Sequence, residues 1–432
     1  RMLKDVTTMK TLKLTAALLA ALMLLVGCSI VPSVSAVARP VYPKAIAFDN
    51  YAARRAVQEE NTPDEEFLQA LAGFAASSTG ALLPGSEKNQ LYSPLSLYYP
   101  LALCAVGADG ETKSQLLNAL HLAGFDDDYI AEQSARLFRY LYTDNKVSKL
   151  TLANSLWMDE YSFKEDFLDT AAGKFFAYLY EVDFSNDATA KEMAKWVSEH
   201  TGGLINPTYN YSEDLVLLIL NTIYFKDAWS KSFNKSLTET GDFHLAGGGT
   251  VTADFMNMTS NRNYIDGDGW SLLQLSTTGG ASMNFVLPDE GLSPGDLLSS
   301  EKLAGILQMN GESVYARVTA SIPRFDFGVE NGLTELFAAL GITDALDFKL
   351  ADFSGMADDG LYISSARQLA RISIDEDGVE AAAYTELAMD GTAAVIEEPR
   401  PVELIFDRPF IFFIEYQGII LFTGVVQNPA ES

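Results

Sequence analysis

Histidine is scarce here, with His121, His200 and His244 the only three in 432 residues. Histidine is the commonest general base, so its scarcity narrows the enzyme classes open to the chain. None of the three stands in an H-E-x-x-H pair, and there is no G-x-S-x-G elbow, Walker loop or dinucleotide glycine fingerprint. A secreted hydrolase would need a nucleophile–base pair that no motif supplies, and the histidines read as ordinary core or surface residues. Basic residues are few: 30 Lys and Arg stand against 58 Asp and Glu, a net charge of −28. Nucleic acid, heparin-like polyanions and anionic membrane surfaces would be repelled and are not expected as partners. Cysteine is limited to Cys28 and Cys104, so a disulfide framework is excluded. The acidic "DEDG" at Asp375–Gly378 is no calcium loop, because the register puts Ser373 first and Tyr384 where a glutamate is needed. No metal or cofactor is expected.

No apolar run is long enough to span a bilayer. Leu14 to Val26 is thirteen residues long, preceded by Lys10 and Lys13, the length of a signal-peptide core. It ends in Leu25-Val26-Gly27-Cys28, which resembles a bacterial lipobox. Residues 1–28 are expected to be a signal peptide with Cys28 as lipid anchor; a cut after Val34-Ser35-Ala36 is the alternative. Lipidation would leave Cys104 as a lone core thiol. Residues 29–61, rich in proline and small residues, read as a tether, and residues 62–432 as a single domain. Thr62, Pro63 and the acids at 64–66 announce a helix. Further helical patterns fall at 96–106, 112–120, 129–142, 164–176 and 189–200. Strand-like runs such as "LVLLILNTIYF" and "PFIFFIEY" dominate the second half. The class is α+β, with helices covering large sheets. Gly247–Gly249 reads as a hairpin turn.

Several stretches, in order, resemble the serpin family of protease inhibitors: "YSPLSLYYPLALCAVGADGETKSQLLNAL", "NTIYFKDAWSKSF", "FVLPDEG", "IPRFDF", "FDRPFIF" and "LFTGVVQNP". The resemblance runs from about Thr62 to the end. It implies three β-sheets, about nine helices, an exposed reactive-centre loop at about 376–401, and no catalytic residues. It places Ser93 and Ser96 in a shutter region, Asn221 on a central strand, Trp229 at the top of the main sheet, and Gln368 where the family typically has a histidine. The hinge of the loop is Glu376, Asp377, Gly378, Val379, Glu380 and the alanines Ala381, Ala382 and Ala383. Val379 replaces the usual hydroxyl residue.

The loop's own composition suits a strand. Val379, Ala381, Ala383, Thr385, Leu387 and Met389 are apolar or small, while Glu380, Glu386 and Asp390 fall on the alternate set. Sixteen residues on from Glu376 lie Thr392 and Ala393, expected to flank the scissile bond. Met389 and Val395 are alternatives, and counting back from "FDRPF" selects Glu398. There is no Arg or Lys between Gly378 and Pro399, so the expected target is an elastase-like or subtilisin-like serine protease, met by a monomer outside the cell or at its surface. A non-inhibitory surface-binding relative is the second reading.

Overall fold

The computed structural model describes residues 34–159, 162–209, 215–358, 360–380 and 399–431. Ala36–Ser432 forms one compact unit, with nine α-helices among its described residues. Pro94–Gly107 is apolar on almost every face and buried nearly end to end, as a helix at the centre of a large core must be. Gly110–Ala119, Asp127–Leu141, Glu165–Gly173 and Asp187–His200 match the helical patterns above. Glu65–Leu82 begins later than its sequence signals. Thr62 instead closes the preceding helix, its hydroxyl donating to the Gln58 carbonyl at 2.8 Å. Leu245 and Gly249 close the glycine turn, the Leu245 amide donating to the Gly249 carbonyl at 3.0 Å.

Seven strands form one sheet and nine another. The three sheets anticipated appear as two hydrogen-bonded systems because Thr250–Gly267 is long enough to serve both halves of the second: it pairs with Glu239–His244 at one end and Trp270–Ser276 at the other. In the seven-stranded sheet, Leu217–Ala228 is central. It pairs antiparallel with Lys149–Asp159 and parallel with the first half of Ile363–Ile374. Its residues are almost continuously buried from Leu217 to Ile223, as expected of a strand covered on both faces. Phe325–Gly332 flanks Ile363–Ile374, and Phe325 packs on Phe410 and Phe412 of the second sheet, with ring centroids 6.2 and 5.5 Å apart.

The tether expected at 29–61 is corrected over 36–61. Tyr51–Asn61 is a helix capped by Asn50, and Ala38 pairs with Leu179 at the edge of the seven-stranded sheet. Tyr42 stacks against Phe138 and Tyr142. The composition of a linker conceals aromatic anchors, and burying them repays the entropy of ordering the segment.

Candidate functional site

The feature that sets the seven-stranded sheet apart is a seam that is laddered at both ends by different partners. At its lower end Ile363–Leu369 pairs in parallel with Leu217–Thr222. That ladder stops at Leu369 and Thr222. At the upper end a two-residue strand, Gly378–Val379, lies between the two long strands. Val379 pairs with Ile374 on one side and Asp227 on the other, and Gly378 pairs with Ala228. The chain reaches this position by a tight reversal after Ile374. The Asp375 carboxylate accepts from the Asp377 and Gly378 amides at 2.8 and 3.1 Å, an Asx turn. Gly378 has φ 155°, a conformation that side chains disfavour.

Parity across the seam follows from the pleat. Ile223, Phe225 and Asp227 are buried on one face, as are Ile372, Ile374 and Val379; Val379 is 2 % exposed. Tyr224, Lys226, Arg371 and Glu380 are only partly buried. Burial raises the Glu380 carboxyl to about 7, against weaker opposition from a hydrogen bond with Tyr224 and from Lys226 and Arg371. At Glu380 the backbone turns to φ 50°, although its amide still donates to the Ser373 carbonyl at 3.0 Å.

Four anchors hold the reversal. Trp229 donates its indole N–H to the Asp375 carbonyl at 2.8 Å and its amide to the Asp377 carbonyl at 3.0 Å. Glu376 is 2 % exposed and its carboxylate accepts from Arg324, with Nε at 3.0 Å, and from the Thr238 hydroxyl. Burial alone would raise that carboxyl; Arg324 and Thr238 outweigh it and hold it below its ordinary value. Asp377 pairs with Lys235 at 2.7 Å. The fourth anchor is Asp227, which accepts from the Thr277 hydroxyl at 2.7 Å and the Gly279 amide at 3.0 Å. Burial pushes this carboxyl up to about 6. A Cβ at Gly279 would collide with the Asp227 carboxylate and the Ser148 side chain.

Below the seam, Gln368 binds one residue's backbone at both ends: the Ser93 amide donates to its side-chain carbonyl at 2.8 Å, and its side-chain amide donates to the Ser93 carbonyl at 2.9 Å. Ser93 caps the central helix by accepting from the Ser96 amide at 3.2 Å, and donates its hydroxyl to the Leu421 carbonyl at 2.6 Å. Asn221, beside Gln368 in the ladder, donates to the Asn154 side-chain carbonyl at 2.5 Å. Ser96 is fully buried, and its hydroxyl has no partner among the described residues.

Ser93, Ser96, Asn221 and Gln368 thus meet below the seam, and Trp229 with residues 376–380 above it. Cys28, Ala381, Ala382, Ala383, Met389, Thr392, Ala393, Val395 and Glu398 lie outside the described residues. Of the histidines, His200 packs on Trp196 with ring centroids 4.5 Å apart, while His121 and His244 are exposed. Sequence reasoning did not single out Asp227, Arg324 or Thr238. Asp227 carried a signal, since it sits on the buried parity of an apolar strand. Arg324 and Thr238 carried none, because their partner Glu376 is distant in the chain.

A family model described as serpin (serine protease inhibitor) matches residues 69–429. An uncharacterized serpin-like protein of Methanosarcina acetivorans is 31% identical over 362 residues, covering 81% of this chain and 83% of its own length. Serpin-ZXA of Oryza sativa subsp. japonica is 31% identical, covering 82% and 94%. Among solved structures, the thermophilic serpin tengpin in its native state superposes with TM-score 0.77 at 27% identity, covering 92% of this chain and all of that one.

Proposed function

Because the chain belongs to the serpin family, and so to a family of protease inhibitors rather than enzymes, we propose that it acts as a suicide substrate for an elastase-like or subtilisin-like serine protease. In this reading the protease serine attacks the carbonyl carbon near Thr392, the amine of the following residue leaves, and the loop, now an ester on the protease, enters the seam before water hydrolyses that ester. Strand addition by loop insertion is a behaviour for which the family is known. The observation that carries the reading is Gly378–Val379, laddered between the two long strands where these have left each other, above their own ladder at Leu217–Thr222 and Ile363–Leu369. Each further residue that enters exchanges water for ladder bonds, at about 1 kcal/mol net apiece. Each buried Val, Leu or Met on the inward parity contributes roughly 1.5–3 kcal/mol more. The small residues Thr392, Ala393, Ala394 and Val395 suit the narrow primary pocket of an elastase-like enzyme.

The lipobox at Leu25–Cys28 supports delivery to the outside of a bacterial membrane, with the inhibitor a monomer held there through Cys28. Incubation with a panel of serine proteases, followed by denaturing electrophoresis and mass measurement of the released C-terminal fragment, tests inhibition and cleavage position together. A covalent complex near one-to-one stoichiometry is expected. Cleavage that leaves the protease active would overturn the proposal.

A further inference from the structure

The docked pair at the top of the seam fixes where each later residue of an entering loop must fall. Val379 has Ile374 and Asp227 as its ladder partners. These two are 147 residues apart in the chain, and so are Gln368 and Asn221, which pair with each other in the lower ladder. The two long strands therefore already stand in the relative register that a strand between them needs. They have only to separate by about 4.8 Å, one interstrand spacing, and neither has to slide. Counting six residues down from the docked rung leads from Ile374 to Gln368, from Asp227 to Asn221, and along the loop from Val379 to Thr385. Six is even, so all three positions keep the face on which Val379 is buried.

That face is apolar at the neighbouring rungs. By the same count Ala381 falls between Phe225 and Ile372, Ala383 between Ile223 and Ala370, and Leu387 between Ile219 and Ala366. The rung at Asn221 and Gln368 is the exception, and both of these side chains are buried. Gln368 is engaged with Ser93. The Asn221 side-chain oxygen has no partner among the described residues, and neither have the Asn154 side-chain nitrogen and the Ser96 hydroxyl. Asn154 stands opposite Asn221 in the ladder, and Ser96 lies one helical turn beyond Ser93. Thr385 is the one hydroxyl among Val379, Ala381, Ala383, Thr385, Leu387 and Met389. The polar side chain of the loop's inward set thus meets the one polar rung between Phe225 and Ile219.

We infer that the seam carries a polar socket for Thr385, whose hydroxyl donates to the Asn221 side-chain oxygen and accepts from the second hydrogen of the Gln368 side-chain amide once the loop is in. The inference rests on the proposal that the loop enters this seam. Thr385 itself lies outside the described residues, and its place comes from the count. A buried acceptor left without a donor costs more than a hydrogen bond gains, so the socket separates a hydroxyl from a hydrocarbon of the same shape. Thr385 is then a positioning residue: it closes the polar cluster in the inserted state and contributes nothing to it before entry.

There is no Arg or Lys between Gly378 and Pro399, so Thr392→Arg lets trypsin cut the loop at a chosen bond, independently of the natural target. In that background Thr385→Val, which keeps the shape and loses the hydroxyl, is compared with Thr385→Ser. Uncut, the parent and both variants should share one guanidinium midpoint. After cutting, Thr385→Val should unfold at a lower midpoint than the parent, its inserted form weakened on the order of tenfold, and Thr385→Ser should stay close to the parent. At an apolar rung valine would match or exceed threonine, and that result would overturn the socket. Placement is read separately with cysteine pairs. Ala383→Cys with Ala370→Cys should form a disulfide after cutting, because the two positions are opposite each other in the count, and Ala381→Cys with Ala370→Cys should not. The reverse pattern, or no link in either pair, would overturn the register and the socket with it. A protein that links at 383 and 370 and shows the effect of the hydroxyl, yet forms no covalent complex with any protease in the panel, would defeat the inhibitory reading and leave the socket standing.

Discussion

Val379→Arg is the perturbation that bears most directly on how the seam works. Val379 is almost wholly buried, with Ile374 and Asp227 as its ladder neighbours. Replacing it forfeits roughly 1.5–3 kcal/mol of apolar burial, and a guanidinium forced into the same place adds a desolvation penalty of several kcal/mol. Asp227 offsets only part of this, because its oxygens already accept from Thr277 and Gly279. A total near 5 kcal/mol corresponds to more than about a thousandfold in the population or rate of entry. The variant should therefore be cut at the same bond as the parent, yet release an active protease. The assay is the yield of covalent complex against cleaved inhibitor on denaturing gels, with Val379→Thr as a control that keeps the complex. An unchanged complex yield in Val379→Arg would refute the reasoning. So would a yield that survives in that variant and vanishes in Val379→Arg/Asp227→Asn, since Asp227 would then be a free acceptor after all.

Glu380 and Asp227 give the docked hinge a pH dependence. Both carboxyls are raised by burial in the folded protein, Glu380 from 4.5 to about 7 and Asp227 from 3.8 to about 6, so their contribution is complete below the ordinary values and lost as pH rises through the raised ones. The protection factor of the Val379 amide, its exchange corrected for the intrinsic base-catalysed rate, should fall between about pH 4 and 7 in the parent, with Glu380→Gln flattening the upper part of that fall and Asp227→Asn the lower. Glu376 behaves in the opposite sense: its carboxyl is held low, so its contribution is present above the ordinary carboxylate value and lost as pH falls through the depressed one. Glu376→Gln should lower stability at neutral pH by about 1–3 kcal/mol, the half-exposed Arg324 being partly screened, and the urea midpoints of variant and parent should converge in acid. Gln368→Ala orphans the buried Ser93 amide and leaves the Ser93 carbonyl to the Leu97 amide alone, at 3.3 Å, for about 1–3 kcal/mol in urea unfolding. The Cys104 thiol, pushed up to about 12 by burial, should resist alkylation until the protein unfolds.

Much of the fold and hinge is legible in the sequence, for reasons that differ between elements. The helix Pro94–Gly107 announces itself by Ser93, Pro94 and an unbroken apolar run, all local signals. The hinge is visible because Glu376, Asp377, Gly378, Val379 and the alanines after them resemble the hinge pattern of the serpin family. The arm at 36–61 reads wrongly as a linker because its prolines and charges are what a linker carries, while its attachments to Leu179 and Tyr416 are contacts across more than a hundred residues. Thr62 reads wrongly as a helix start because a threonine before Pro63 suits either boundary, and nothing local announces the helix before it. The Glu376–Arg324 pair and the clasp on Asp227 depend on tertiary placement, which no spacing in the chain encodes.

Two opposing tendencies meet in consecutive residues of the hinge. Val379 gains by entering, since its face of the sheet is apolar. Glu380 loses by entering next, since the outer groove between Tyr224 and Arg371 strips water from its carboxylate by more than Lys226 and Arg371 compensate. The backbone turn at Glu380 adds roughly 1–2 kcal/mol for a left-handed residue without glycine's freedom. Entry of residues beyond it must convert that turn to an extended strand and so recovers this energy. Under the proposed mechanism the docked pair is a resting point on the way into the sheet: one residue's burial holds it in place, the next residue's charge opposes further entry, and among the described residues the strands are unpaired with each other between Val379 and their ladder at Leu217–Thr222 and Ile363–Leu369. Glu380→Ala tests this balance, because removing the charge while leaving Val379 in place should move the resting point inward. The loop should then enter at a lower temperature than in the parent, read as an earlier onset of resistance to urea. A later onset would mean that Glu380 anchors the docked position instead of limiting it.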